Sequence, residues 1–163
     1  MRRSDIDARL TDLYAQVPQP DCKGLCADSC GPIDMHPRER QRARERGVTI
    51  PHHDDALDQM ERDGTYSCPA LQNDRCSVYE VRPMICRLWG AVEAMPCEHG
   101  CRPDNGLLSD GDGVELLRAS LDIGGDATAA EQRRQMLSRR FEDPAWRQAY
   151  QDFVRNHRAA PRR

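Results

Sequence analysis

Ile6, Leu10, Leu13 and Val17 recur at intervals of four, three and four residues, which places them on one face of an amphipathic helix over residues 4–17. Ser4 stands where it can cap that helix, and Pro18 and Pro20 end it. A second helix is predicted from Pro37, a residue suited to the first helical turn, to Gly47. A third covers about 54–62, with Leu57 and Met60 inward and Gly64 as its stop. The pattern then changes. Pro69, Asn73 and Asp74 are turn formers, and the run from Cys76 to Tyr79 can extend, so a small hairpin or knotted loop is expected over 65–79. Glu80 to Trp89 allows a helical turn whose start Pro83 limits, and residues 90–111 are irregular.

The last third predicts three helices. Asp112-x-x-Glu115 and Thr128-x-x-Glu131 have capping-box spacing, and Gly124-Gly125 separates the first two helices. Asp143-Pro144 opens the third, where Ala145, Trp146, Ala149, Tyr150, Phe153 and Val154 form one apolar stripe. Core packing is the plain role of that stripe, and docking a protein partner is the other. The expected fold is mainly α with a small irregular β hairpin. A cysteine-rich metal-binding core with an N-terminal helix spans 1–106, and a C-terminal helical extension packed on it spans 107–163.

Composition changes this picture at one point. Hydrophobic residues make up 38% of the 163 residues and aromatics 5%, against 31% charged. A core this lean gains from cross-links, and the chain has eight cysteines. The opening residues MRRSDIDARL lack the apolar run of an export signal, so a cytoplasmic location is expected, where structural disulfides are rare. No apolar stretch is long enough for a membrane span. The net charge of −3 argues against a chain whose main task is coating nucleic acid. Arg38, Arg40, Arg42, Arg44 and Arg46 read as a solvated helix interrupted by Glu39 and Glu45. Arginine is used almost to the exclusion of lysine, as codon bias in a GC-rich genome would produce.

Metal binding is the chemistry the cysteines point to. Cys22, Cys26 and Cys30 form C-x3-C-x3-C; Cys68, Cys76 and Cys86 are spread over the hairpin region; Cys97 and Cys101 form another C-x3-C. Two four-cysteine sites satisfy the count, as does one four-cysteine cluster with helpers. No C-x2-C knuckle of the structural zinc type is present. The wider C-x3-C spacing and the all-cysteine donor set favour an iron–sulfur cluster, of the [4Fe-4S] kind, with zinc as the alternative. A C-x3-C-x2-C run for radical chemistry is absent, and the chain is too short for a full barrel. His99 lies between Cys97 and Cys101 and reads as a surface histidine rather than a ligand. His52-His53-Asp54-Asp55 reads as the polar start of a helix. No phosphate loop, nucleophile elbow or histidine–carboxylate set marks an enzyme, so catalytic residues stay unassigned.

The run CPALQNDRCSVYEVRPMICRLWG, from Cys68 to Gly90, resembles the signature of the YkgJ-type cysteine-cluster family, the zinc- or iron-chelating domain proteins. Cys68, Pro69, Leu71, Cys76, Tyr79, Arg82, Pro83, Cys86 and Arg87 carry the resemblance, and Cys22, Cys26 and Cys30 sit where the family places an upstream cysteine group. An adjacent Cys-Cys pair, frequent in the family, is missing. The resemblance covers roughly 21–102 and implies metal binding, with iron–sulfur ligation the usual suggestion. Arg82 and Arg87 flank Cys86 and could donate to cluster sulfur, the plainer role for Arg82 being an ion pair with Glu80 or Glu93. Pro83 is expected to fix the turn that aims Cys86 inward, and Trp89 to join the core. The function expected is electron transfer, or service as an accessory to a redox enzyme. The alternative is a zinc-stabilised interaction module.

Overall fold

The computed structural model describes residues 2–145 and 148. The fold is mainly α with one small two-stranded antiparallel sheet. Its elements are α1 (Arg3–Tyr14), α2 (Pro37–Glu45), α3 (His53–Asp63), β1 (Leu71–Gln72), β2 (Arg75–Cys76), α4 (Met84–Leu88), α5 (Asp110–Gly124) and α6 (Ala127–Glu142). Single 3-10 turns occur at Ala27–Ser29 and Tyr79–Val81.

The apolar face predicted for α1 is the face that packs. Leu10, Leu13, Tyr14 and Val17 are buried together with Met84, Leu88, Ala91 and Val92. Leu116, Leu117, Ala119 and Ile123 of α5 close this cluster from the other side. Leu10, Met84 and Leu88 are fully enclosed, and burial of such a side chain contributes about 1.5–3 kcal/mol. Helix α5 is thereby central: it packs on α1, α2, α4 and α6. A second cluster of Met35, Ala43, Val48, Ile50, Ala70, Val78 and Val81 sits between α2 and the hairpin.

The caps differ from expectation in instructive ways. α1 begins one residue before Ser4 and has no side-chain cap, because Arg2 occupies the capping position and Ser4 lies within the first turn, where its hydroxyl donates to Asp5. The capping box of α5 lies three residues earlier than predicted. Ser109 Oγ accepts from Asp112 N–H at 3.2 Å and donates to Asp112 Oδ2 at 2.7 Å. Two helices are capped by imidazole: His36 Nδ1 accepts from Glu39 N–H, and His52 Nδ1 accepts from Asp54 N–H. Gly64 ends α3 and Gly125 ends α5, both in the left-handed conformation that glycine adopts without strain.

The hairpin pairs Leu71 with Cys76 and Gln72 with Arg75. Asn73 and Asp74 both have positive φ, 50° and 60°, which is the two-residue turn whose twist matches antiparallel strands. At the far end Asp143 Oδ1 accepts from Ala145 N–H at 2.9 Å, as its predicted capping role requires. Trp146, Ala149, Tyr150, Phe153 and Val154 of the apolar stripe lie outside the described residues. No helix among the described residues is long and apolar enough to cross a membrane.

Candidate metal centre

All eight cysteines are free thiols, carried by several separate pieces of local structure. Cys22 is exposed in the extended segment after α1, and its sulfur accepts from Gly24 N–H at 3.3 Å. Cys26 and Cys30 flank the 3-10 turn Ala27–Ser29. Cys68 leads into β1, where its carbonyl accepts from Leu71 N–H at 2.9 Å. Cys76 is on β2, and Cys86 is in the middle of α4, which Pro83 starts. Cys97 and Cys101 bracket a turn in which Gly100 N–H donates to the Cys97 carbonyl at 3.0 Å.

Electrostatic neighbourhood divides these thiols into two groups. Burial pushes the Cys30 thiol up to about 11, and the nearby Cys68, Cys26 and Cys76 push in the same direction. Burial likewise raises Cys86 far above the ordinary thiol value, helped by Cys68, Cys30, Cys76 and Glu39. Cys68 is raised by burial and by Cys76, against a backbone hydrogen bond from Ala70. Cys30, Cys68, Cys76 and Cys86 therefore share one neighbourhood. Cys26 is raised by burial first and then by Cys22, Cys97 and Cys101, with a backbone hydrogen bond opposing. For Cys97, burial is outweighed by hydrogen bonds from the backbone of Cys101 and His99 and from the Cys101 thiol, so its pKa falls. Cys22, Cys26, Cys97 and Cys101 form the second neighbourhood. The two abut across the Ala27–Ser29 turn, where Cys26 and Cys30 are its flanks.

The thiols are grouped but not closed. Among the described residues no three His, Cys, Asp or Glu side chains converge on one ion-sized point. Gripping a metal therefore calls for rotation of cysteine side chains between their staggered rotamers. The donor set itself fits either zinc or an iron–sulfur cluster, since both accept four thiolates drawn from separated segments. The raised pKa values of Cys26, Cys30, Cys68 and Cys86 mean that a bound cation, not the protein, would supply the charge that deprotonates these four.

The side chains around the cysteines have partners of their own. Arg82 is buried: it lies 3.6 Å over the Tyr79 ring and donates to the Tyr79 carbonyl and to Gln19 Oε1. Arg87 donates to the carbonyls of Arg82 and Glu80 and stacks 4.3 Å from the Tyr14 ring centre. Both guanidinium groups thus brace the backbone that leads into α4. Trp89, expected in the core, is 40% exposed where α4 ends. His99 stands beside Glu98. His52 caps α3 as the polar-start reading of that tract requires.

Sequence reasoning did not single out the buried polar network beside Cys86. Glu39, 3% exposed, accepts at Oε1 from Tyr14 O–H at 2.7 Å, Met84 N–H at 2.7 Å and Ser120 O–H at 3.3 Å. His36 Nε2 is 3.3 Å from Ser120 Oγ, and burial lowers the His36 pKa. Its Nδ1 already accepts from Glu39 N–H, so the network assigns the ring proton to Nε2. The available signal was His36-x-x-Glu39, a capping-box spacing with imidazole in place of hydroxyl.

Compared with known proteins, residues 21–105 match the model of one family, CxxCxxCC, whose description is "Putative zinc- or iron-chelating domain". No curated protein and no solved structure matches the chain.

Proposed function

This chain belongs to the CxxCxxCC family of chelating domains, and from that premise we propose that its cysteines hold an iron–sulfur cluster that serves electron transfer or an accessory role to a redox enzyme. The observation that supports this reading is the donor set: eight cysteines, all free thiols, drawn from separated segments of the chain. Iron–sulfur clusters take such all-thiolate sets. A bound cluster supplies one-electron redox chemistry. The protein supplies the thiols and half-buries those of Cys30 and Cys86. The cytoplasm, where thiols stay reduced, suits this role. Anaerobic purification followed by iron and acid-labile sulfide analysis tests it. A brown protein with bound sulfide is expected, and a colourless protein with stoichiometric zinc overturns it.

A second reading is a zinc-stabilised interaction module. It is favoured by Cys68 and Cys76, which pack against the small hydrophobic cluster around Met35 and Val81. A zinc ion there would supplement a lean core, and the C-terminal helices would offer the docking surface for a protein partner. Zinc removal then unfolds the chain; a metal-free chain that keeps its helical circular dichroism defeats this reading.

A further inference from the structure

The first three cysteines ride on a stretch of chain with little regular structure. Among the described residues, the 3-10 turn Ala27–Ser29 is the one element between α1 and α2. Such a stretch lacks the backbone ladder that fixes a helix or strand, and it opens locally at low cost. Its path is therefore set by the few side chains that tie it to the rest of the fold. At its entrance the tie is Gln19, three residues before Cys22. Gln19 Nε2 donates to the Val17 carbonyl at 3.1 Å and to the Arg87 carbonyl at 3.4 Å, and its Oε1 accepts from the buried Arg82. The next residue, Pro20, packs against Gly90. A Cβ at Gly90 would lie 3.6 Å from Pro20 Cγ and 3.4 Å from Cys97 Cβ, so one glycine brings the N-terminal stretch and the Cys97 loop together.

At its exit the tie is a single surface contact. Ser29 Oγ donates to Glu98 Oε1 at 2.7 Å, across 69 positions of sequence. Ser29 immediately precedes Cys30, and Glu98 immediately follows Cys97. The contact therefore joins the turn flanked by Cys26 and Cys30 to the turn bracketed by Cys97 and Cys101. Neither side chain belongs to either hydrophobic cluster. An exposed hydrogen bond of this kind contributes little to folding stability, because water replaces either partner.

We infer that the Ser29–Glu98 hydrogen bond is a positioning contact for metal uptake: it keeps the backbone that carries Cys26 and Cys30 beside the backbone that carries Cys97 and Cys101, without touching the metal itself. This rests on the metal-binding reading, but neither on which metal is native nor on how the cysteines are shared. Cysteine side chains must still rotate to grip an ion, and rotation closes a site only where the backbones already lie near one another. With the contact in place the loops are ordered before the metal arrives. Without it, ordering them is charged against the binding free energy. Ser29 and Glu98 thus act through the segments they join, as positioning residues rather than ligands.

Zinc(II) serves as the probe, in the reduced full-length chain under anaerobic conditions. Affinity is read from competition with a chromophoric chelator in the wild type, Ser29→Ala, Glu98→Ala, Glu98→Gln and the double variant Ser29→Ala/Glu98→Ala. Each single alanine variant should bind zinc about tenfold more weakly, the scale on which groups that orient metal ligands act. The double variant should be no weaker than either single, since all three remove one contact. Glu98→Gln keeps an acceptor for the Ser29 hydroxyl and should retain most of the affinity. The metal-free urea midpoint and helicity should match the wild type throughout, and so should the absorption spectrum of the cobalt(II)-loaded variants. Alanine variants within about twofold of wild-type affinity, or additive losses in the double variant, overturn the inference. Glu98→Gln as weak as Glu98→Ala overturns it by assigning the effect to charge. A loss matched by a lower metal-free urea midpoint makes the contact merely structural, and an altered cobalt spectrum makes the side chain a ligand; either result overturns it. A wild-type chain that takes up no zinc defeats metal binding itself, whereas a chain that binds zinc equally in every variant defeats only the positioning role.

Discussion

Glu39 holds the start of the helix that carries Cys86: its Oε1 accepts from the Met84 backbone N–H at 2.7 Å. An α-helix leaves its first N–H groups without partners inside the helix. In α4 one of them is satisfied by a buried carboxylate from α2, which also gathers Tyr14 of α1 and Ser120 of α5. Four elements therefore meet at one oxygen, two residues away from a candidate ligand.

Replacing that carboxylate should be costly. Glu39→Ala leaves three buried donors unpaired and is expected to lower stability by about 3–5 kcal/mol, the range for breaking a buried charged group's partnerships. Glu39→Gln retains an acceptor and should cost less, about 1–2 kcal/mol. Urea unfolding of both variants checks this. Equal losses would mean that the hydrogen bonds at Oε1 do not carry the effect.

Gly124 predicts a reversal of an ordinary rule. Alanine in place of a helical glycine usually stabilises by about 0.5–1 kcal/mol. A Cβ at Gly124 would instead lie 2.3 Å from His36 Nδ1, inside the fully buried imidazole. Gly124→Ala should therefore destabilise by about 1–3 kcal/mol, the usual cost of overpacking. Gly111→Ala is the control: its nearest neighbour is Ser109 Oγ at 3.7 Å, so it should be close to neutral. Thermal unfolding should show a clear drop in midpoint for Gly124→Ala and little change for Gly111→Ala.

The buried thiols make opposite predictions with and without metal. Cys30 rises from the ordinary 9.0 to about 11, because burial disfavours the thiolate. In the reduced metal-free chain the folded state keeps a proton that the unfolded chain releases. This contribution to stability is present below pH 9.0 and fades as pH rises toward about 11. Metal uptake reverses the slope, since each ligand must lose its proton and affinity therefore grows with pH. Urea midpoints and zinc affinities measured across that window test both signs.

Arg38 ties α1 to α2 by a close pairing with Asp7, and it also donates to Glu45 Oε1 at 2.9 Å. The hydrogen bond from Arg38 holds the Asp7 carboxyl below its ordinary 3.8. A double-mutant cycle of Arg38→Ala and Asp7→Ala should give a coupling of about 1 kcal/mol at neutral pH, discounted for the partial exposure of Asp7. The coupling should begin to fade below pH 3.8 and vanish once pH falls beneath the lowered value. A coupling that persists in strong acid would point to packing rather than charge.

Periodicity made the helices legible, because Leu10, Leu13 and Val17 bury the same face that their spacing defines. The turn at Asn73-Asp74 was legible for a local reason as well: both residues tolerate positive φ. The polar joints were harder to see. Ser109 caps α5 in place of the expected Asp112 box, since the helix starts earlier than the apolar pattern alone suggests. Trp89 looked like core, yet α4 ends at Leu88 and turns its successor outward. The cysteines were legible as a set. Their division was not, because Cys30 and Cys68 are brought together by folding over a long stretch of chain, and Tyr14, Glu39 and Ser120 meet only in three dimensions.

The central position of α5 sets an order on the ribosome. α1 is made before the residues that cover its apolar face, which come from α4 and from α5, whose last residue is Gly124. Cys22 likewise emerges long before Cys101. Nascent chains fold as their units become complete, so the N-terminal helix and the first cysteines wait, uncovered, until nearly the whole described chain is out. Covering the α1 face is thereby a late step of synthesis. The interval before it is when the exposed Leu10–Leu13 face and the unliganded thiols are most open to aggregation and oxidation.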